Sequence, residues 1–193
     1  MSALQLDLLE PAPAALPQGL RYRPELIPPA DEAGLVEVIA ALPFRPFEFH
    51  GYLGNRRTVS FGFRYDFGDQ AMHEAEPIPD VLLPLRERAA DFAGIAAAAL
   101  PHALVTEYAP GAGIGWHRDR PVFSDVIGVS LLAPCRFRLR RQHGDKWQRA
   151  ALDLAPRSVY LLRGPVRHDW QHSIAPMQEL RYSVTFRRLA EPR

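Results

Sequence analysis

The chain has 193 residues, enough for one domain with a sizeable core, and its 47% hydrophobic and 23% charged residues are ordinary for a globular protein. A net charge of +1 is too near neutral to argue by itself for a nucleic-acid partner, and no apolar run approaches the length that spans a bilayer. The single cysteine, Cys135, excludes an intramolecular disulfide and a cysteine-rich zinc cluster, so any metal site must use His, Asp and Glu.

Residues 1–30 carry six prolines and little periodicity, and read as an irregular arm ahead of a single domain over 31–193. The first basic residue is Arg21, so the cationic start of a secretory signal is missing and the expected location is cytoplasmic. Asp31 is placed to N-cap a helix through Leu35, Val36, Val38 and Ile39 that ends before Pro43. Residues 47–67 turn aromatic with period two: Phe61, Phe63, Tyr65 and Phe67 share one parity against Ser60, Gly62 and Arg64. Asp80 opens a second helix through Val81, Leu82, Leu85, Ala89 and Phe92, with Pro84 near its first turn, where proline does least harm. From residue 102 onward the pattern is one of short strands, at 103–108, 126–132, 135–141, 147–154, 158–163 and 180–188. His143-Gly144-Asp145 suits a hairpin turn, and Cys135 reads as a small core residue on a strand. This is an α+β chain in which two helices support a C-terminal two-sheet sandwich or barrel.

The chemistry concentrates in residues 104–188. His117-Arg118-Asp119 puts two candidate ligands at i and i+2, which leave the same face of an extended chain. A third ligand from a distant strand would complete two imidazoles and one carboxylate on one side of a metal, leaving positions open, as suits non-haem Fe(II) oxygenases. His168 and His172 both qualify, and local geometry does not choose between them. The last strand alternates strictly, with Arg181, Ser183, Thr185 and Arg187 against Tyr182, Val184 and Phe186. Ordinarily such a pattern marks a strand with one wet face. Its two arginines lie about 20 Å apart at ~3.3 Å per residue, too far for one small carboxylate but suited to a dicarboxylate lying between them.

These residues together resemble the AlkB family of Fe(II)/2-oxoglutarate-dependent dioxygenases. The resemblance rests on Tyr108, His117-x-Asp119, Trp170-x-His172-x-Ile174 and Arg181-x-Ser183-x-Thr185-x-Arg187, and covers roughly 104–188. It implies a double-stranded β-helix (jelly roll) fold and an enzyme that uses Fe(II), 2-oxoglutarate and O₂. It further implies His117, Asp119 and His172 as iron ligands, selecting His172 over His168. Tyr108 and Arg181 would hold the distal carboxylate of 2-oxoglutarate, and Arg187 its iron-chelating end. Ser183 and Thr106 stand where the family usually carries asparagine, so amides are replaced by smaller hydroxyls. Oxidation of an N-methyl carbon would release formaldehyde, with succinate and CO₂ as the other products.

The substrate is read from residues 50–67, where Arg56, Arg57 and Arg64 lie among Tyr52, Phe61, Phe63 and Tyr65. Cations that grip phosphate beside aromatics that stack on an extruded base suit a base-repair enzyme. The alternative is a hairpin whose phenylalanines enter the core and whose Arg56-Arg57 pair sits in an exposed turn beside Gly54-Asn55. Arg56, Arg57, Tyr65 and Trp170, which shares the parity of His172, are the candidate substrate contacts, while Trp116 is expected in the core. Arg136, Arg138 and Arg140 share a strand face and are either solvated or met by an anion. Lys146 is the only lysine; beside 19 prolines, this arginine preference reads as compositional bias and names no partner. The expected partner is alkylated DNA or RNA, with a protein side chain or small metabolite as the alternative substrate. A non-catalytic binding module of the same fold is a third reading, which the intact ligand set opposes.

Overall fold

The computed structural model describes residues 16–49, 52–65, 68 and 71–191. Residues 1–15 of the arm and Phe67 lie outside the described residues. The elements run β1 (Leu20–Arg23), α1 (Pro29–Ala40), β2 (Arg45–Phe49), β3 (Tyr52–Phe61), β4 (Phe63–Tyr65), β5 (Met72–Glu74), α2 (Leu83–Ala93), β6 (His102–Tyr108), β7 (Ile114–His117) and β8 (Phe123–Leu132). They continue with β9 (Cys135–His143), β10 (Lys146–Leu154), β11 (Val159–Leu162), α3 (Pro165–His168), β12 (Gln171–Ile174) and β13 (Arg181–Leu189). A seven-stranded sheet in the order β1-β11-β8-β13-β6-β3-β2 faces a four-stranded sheet in the order β10-β9-β12-β7, with β4 and β5 forming a separate ribbon. This is the double-stranded β-helix.

Two apolar clusters hold the layers together. On one face of the large sheet, Ala103, Val105, Val184 and Phe186 pack against Ile39, Leu85, Ala89 and Phe92 of the two helices. Between the sheets, Phe137, Leu139, Tyr160, Trp170 and Ile174 form a second cluster around Tyr108. The central strands β6, β8, β11 and β13 therefore have two buried faces, and the outer face there is dry because helices cover it. Cys135 opens β9 in the inter-sheet cluster, as expected of a small core thiol, and burial raises its pKa.

The six strands anticipated from residue 102 onward all form. The turn at 143–145 is a two-residue hairpin in which Lys146 pairs with His143 across Gly144, whose φ is +56°. Three expectations change. The arm is not irregular throughout, because Leu20–Arg23 adds an edge strand in register with Leu162–Val159. The first helix starts at Pro29 rather than being capped by Asp31, since proline presets the first helical turn and Asp31 and Glu32 then face its amide end. Arg56 and Arg57 lie in no exposed turn: β3 runs unbroken through Gly54-Asn55, and its register with β2 closes at Phe49↔Tyr52.

Two glycines set close approaches that shape the site. At Gly62, with φ +76°, a Cβ would collide with the Pro101 carbonyl, and this kink separates β3 from the β4–β5 ribbon. At Gly128 a Cβ would run into the ring of Tyr160, its neighbour in register on β11. The tyrosine lies flat across the glycine and reaches into the space between the sheets.

Candidate active site

The alternation of β13 decides where the polar chemistry goes. Its apolar residues pack under the helices, so Arg181, Ser183, Thr185 and Arg187 face the other sheet and are only 1%, 5%, 7% and 9% exposed. The wet-face reading of this strand is wrong: the polar face is buried. Burying two guanidiniums is costly unless they meet partners. Arg187 donates to Asp119 Oδ1 through Nε at 3.1 Å and Nη2 at 2.8 Å. Arg181 donates Nε to Ser130 Oγ at 3.0 Å and lies over the Tyr108 ring at 5.1 Å, but its buried Nη1 has no hydrogen-bond partner.

Between the two arginines the floor is built of small or hydroxyl-bearing groups. Thr58, Thr106, Ser183 and Ser130 stand in register across four adjacent strands. Alongside them Thr185 is in register with Gly128, and Gly128 with Tyr160. Short side chains therefore line the floor between Arg181 and Arg187, where a dicarboxylate reaching both arginines would have to lie. Ser183 and Thr106 belong to this floor, and larger amides there would narrow the space above it. Burial pushes the Tyr108 phenol up despite Arg181 and Arg56 nearby, so it keeps its proton and can donate to a carboxylate.

The opposite wall carries His117, Asp119 and His172. His117 ends β7 and His172 lies on β12, directly opposite it in the antiparallel register. Their ring centroids are 4.2 Å apart, and His172 Nε2 lies 3.6 Å from Asp119 Oδ2. Two donors ~2.1 Å from one ion and at right angles to each other sit about 3 Å apart, so this pair is near that spacing. His168 falls in α3 instead. His117 Nδ1 lies 2.9 Å from the Gly115 carbonyl, which can only accept, so Nδ1 carries the proton and Nε2 is left as the lone-pair nitrogen.

Electrostatics suit the same use. Burial, reinforced by His117 and by nearby arginines, pushes His172 down to about 3, and burial also lowers His117, so both rings are neutral at physiological pH. Burial alone would raise Asp119, but Arg187, acting together with His172, His117 and Arg167, outweighs it and holds the carboxylate well below its usual range. Among the described residues no three His, Cys, Asp or Glu side chains stand together as placed to hold a metal ion. The carboxylate is turned to Arg187, and a cation would have to compete for it. The donor set still fits Fe(II) chemically: two neutral imidazoles and one ionised carboxylate on one wall, with an unsatisfied buried guanidinium, Arg181, further along β13 that a 2-oxoglutarate carboxylate would complete.

The remaining expectations divide. Arg56 lies with its guanidinium 3.7 Å from the Phe47 ring centroid, close enough to Tyr108 and His117 to act on their charge states. Arg57 points to the other face of the sheet, where it grips Glu107 at 2.7 and 2.9 Å beside Tyr182; this corrects its reading as a substrate contact. Tyr65 sits on the β4–β5 ribbon under the Arg120 guanidinium at 4.3 Å, next to Asp119 in sequence. Trp170 is 3% exposed within the inter-sheet core and has Arg141 over its ring at 5.0 Å, so it supports the wall rather than offering a stacking face. Trp116 is not in the core: it is half-buried on the outer face of the small sheet, beneath Arg138 and Arg140.

Three site neighbours escaped the sequence reading. Tyr160 lies among Asp119, Arg181, Tyr108 and Arg187, and burial raises its phenol. His102 faces Arg187 in register and is pushed down to about 3, chiefly by burial. Buried Arg167 donates to the carbonyls of Arg120 and Phe123 and so fixes the loop after Asp119. Only the inward parity of Tyr160 and His102 hinted at these roles, and parity does not say what lies opposite.

A two-sheet barrel with this polar interior defines a class. The chain matches the 2OG-Fe(II) oxygenase superfamily over residues 41–187 and belongs to it, a family whose members use Fe(II), 2-oxoglutarate and O₂. Within that class it is similar to AlkB homologues. It is 28% identical over 180 residues to the Arabidopsis thaliana "Alkylated DNA repair protein ALKBH8 homolog", covering 81% of this chain and 50% of the relative. It is 29% identical over 97 residues to "Uncharacterized protein L905" of Acanthamoeba polyphaga mimivirus, covering 44% of this chain and 46% of the viral protein. The chain thus spans about half the length of the curated relatives it matches. The solved structure of OsALKBH1 superposes with a TM-score of 0.70 at 16% identity, over 90% of this chain and 98% of the other, a likeness of fold. No helix among the described residues is long and apolar enough to cross a membrane.

Proposed function

We propose that the protein oxidatively demethylates alkylated nucleic-acid bases, with Fe(II) held by His117, Asp119 and His172. When bound, iron with 2-oxoglutarate and O₂ supplies the oxidising power for a C–H bond of the methyl group. The chain's own residues do the rest. His117 and His172 present neutral nitrogens, and Asp119 presents a carboxylate kept ionised by Arg187. Arg181, with its phenolic neighbour Tyr108, holds the distal carboxylate of 2-oxoglutarate over the Thr106, Ser130 and Ser183 floor. Arg187 serves the end nearer the metal. Arg56 on Phe47, with Tyr65 and Arg120 on the ribbon side, forms a cationic and aromatic rim suited to a base and its phosphate.

The observation that carries the reading is the orphaned Nη1 of Arg181, a buried cation with a donor to spare on the strand whose other arginine, Arg187, holds Asp119 of the two-histidine, one-carboxylate set. The nucleic-acid half rests on the cationic–aromatic rim and on the printed name of the Arabidopsis relative. Succinate release measured with methylated single-stranded and double-stranded oligonucleotides and with methylated peptides tests it. Stimulation by oligonucleotides is expected; stimulation by peptides alone would replace the substrate with a protein side chain, which the near-neutral net charge favours.

A further inference from the structure

The outer face of the four-stranded sheet carries a charge arrangement that folding alone does not explain. Arg136, Arg138 and Arg140 on β9 and Arg149 on β10 point the same way, with Arg149 directly opposite Arg140 in register. Like charges directly opposite each other destabilise a sheet. One carboxylate on this face compensates: Asp153 pairs with Arg136 at 2.7 Å. Among the described residues Arg138, Arg140 and Arg149 have no carboxylate partner; Arg140 donates Nε to the neutral Gln171 Oε1 at 2.8 Å.

Tryptophans alternate with these cations. The Arg140 guanidinium lies 4.3 Å from the Trp116 ring centroid and 4.4 Å from that of Trp147, so it is sandwiched between two indoles. Trp147 is 41% exposed despite its size. Arg138 reaches Trp116 at 5.4 Å; its Nε and Ser173 Oγ, on residues opposite each other in register, are both buried without a hydrogen-bond partner. Arg138 also lines a cleft of about 270 Å³ beside β7, with Asn55, Gly113, Gly115 and Ile174. Trp116 immediately precedes His117 on β7, so the two side chains leave the same short strand on opposite faces, the indole outside and the candidate ligand inside.

We infer that this face is a platform for single-stranded nucleic acid, holding the stretch that flanks the target base and leading it to the site. The inference rests on the proposed nucleic-acid substrate. Arginines without carboxylates fit phosphodiester charge, and exposed indoles stack on any unpaired base. An acidic peptide would use the arginines but leave Trp147 exposed without a role.

The test is fluorescence anisotropy of the intact protein with a short unmodified single-stranded oligonucleotide over a range of salt. Trp147→Ala combined with Arg149→Ala is expected to weaken binding about tenfold or more, and to flatten the plot of log affinity against log salt by roughly 0.7. Trp147→Phe should restore much of the affinity, and uncoupled 2-oxoglutarate consumption should be unchanged in all three proteins, which reports an intact fold. Unaltered affinity and salt slope in the double variant would overturn the platform, as would tighter binding of a poly-glutamate peptide than of the oligonucleotide. So would failure of the wild type to bind the oligonucleotide. Succinate release separates the two readings. If methylated oligonucleotides stimulate the double variant with raised KM and unchanged kcat, both hold; if they never stimulate the wild type, the substrate reading itself fails.

Discussion

Arg181 gives the sharpest test of the co-substrate site, because its two expected effects have opposite signs. Its guanidinium is almost fully buried, with Nε satisfied by Ser130 and Nη1 by nothing in the protein. Replacement by methionine, which keeps much of the volume, removes an under-satisfied buried cation. Such a replacement is often neutral or stabilising, so protein free of metal and co-substrate should melt at the same temperature or higher. Two charge-assisted hydrogen bonds to a carboxylate would be lost at the same time. At about 1.5–3 kcal/mol each, partly offset by the desolvation no longer needed, the loss is about 3–4 kcal/mol, or roughly 10²- to 10³-fold in 2-oxoglutarate affinity. Anaerobic titration of the Fe(II)-loaded protein, followed by its charge-transfer absorption, measures the affinity, and differential scanning fluorimetry measures the stability. Arg181→Lys keeps a charge but not the fork and should fall between. An Arg181→Met protein that binds 2-oxoglutarate within about threefold of wild type would refute the reasoning. So would one that loses several kcal/mol of metal-free stability, because Arg181 would then be a strut rather than an anion receptor.

Three further outcomes follow from the same geometry. Arg57→Ala should destabilise the protein by about 1–3 kcal/mol in urea melts, leaving the Glu107 carboxylate buried beside Tyr182, while oligonucleotide binding stays at the wild-type value. His117→Ala combined with Asp119→Ala should abolish the charge-transfer band on anaerobic mixing with Fe(II) and 2-oxoglutarate; survival of the band would remove these residues from the ligand set. Metal-free protein should lose stability on acidification. His172 and His102 have folded pKa values of about 3, below the unfolded ~6.5, so their contribution is complete above pH ~6.5 and falls as pH drops toward 3. At pH 5 the loss is on the order of 2 kcal/mol per histidine, read from melts at matched ionic strength, and a His102→Gln variant should show a shallower decline.

The legibility of this chain followed its periodicity. Most strands after residue 102 announced themselves as long β-rich runs bounded by turn residues, short β11 by the unbroken apolar run Val159–Leu162, and the Arg181–Arg187 alternation was visible residue by residue. Whether that polar face was wet was not readable, because wetness depends on what stands opposite and the second sheet arrives from β7, β9 and β12. Short β7 and β12 were missed for a related reason: four residues carry little period, and their identity comes from the register that pairs His117 with His172. The same holds for Arg56 and Arg57. Adjacent in sequence, they leave a strand on opposite faces, one toward the site and one to Glu107, once β3 is known to run straight through them. Tyr160 was hidden because its partner in shape is a glycine on another strand.

The Arg187–Asp119 pair joins these observations. A carboxylate this buried would take up a proton unless a cation stood beside it, and a protonated Asp119 would be a poor ligand. Arg187 keeps it ionised, and Asp119 in turn neutralises a guanidinium that would otherwise be buried alone. Each is the other's counter-ion until the reaction components arrive. Metal can then take Asp119 while the carboxylate of 2-oxoglutarate takes Arg187, so charge stays balanced only if both bind. The chain's own electrostatics therefore favour joint loading: Fe(II) should bind more tightly in the presence of 2-oxoglutarate than alone, and 2-oxoglutarate more tightly with metal, by the same factor. Calorimetric titrations in both orders measure that factor. Independent binding of the two would mean that Arg187 serves Asp119 alone, and Arg187→Gln would then weaken metal binding without touching the co-substrate.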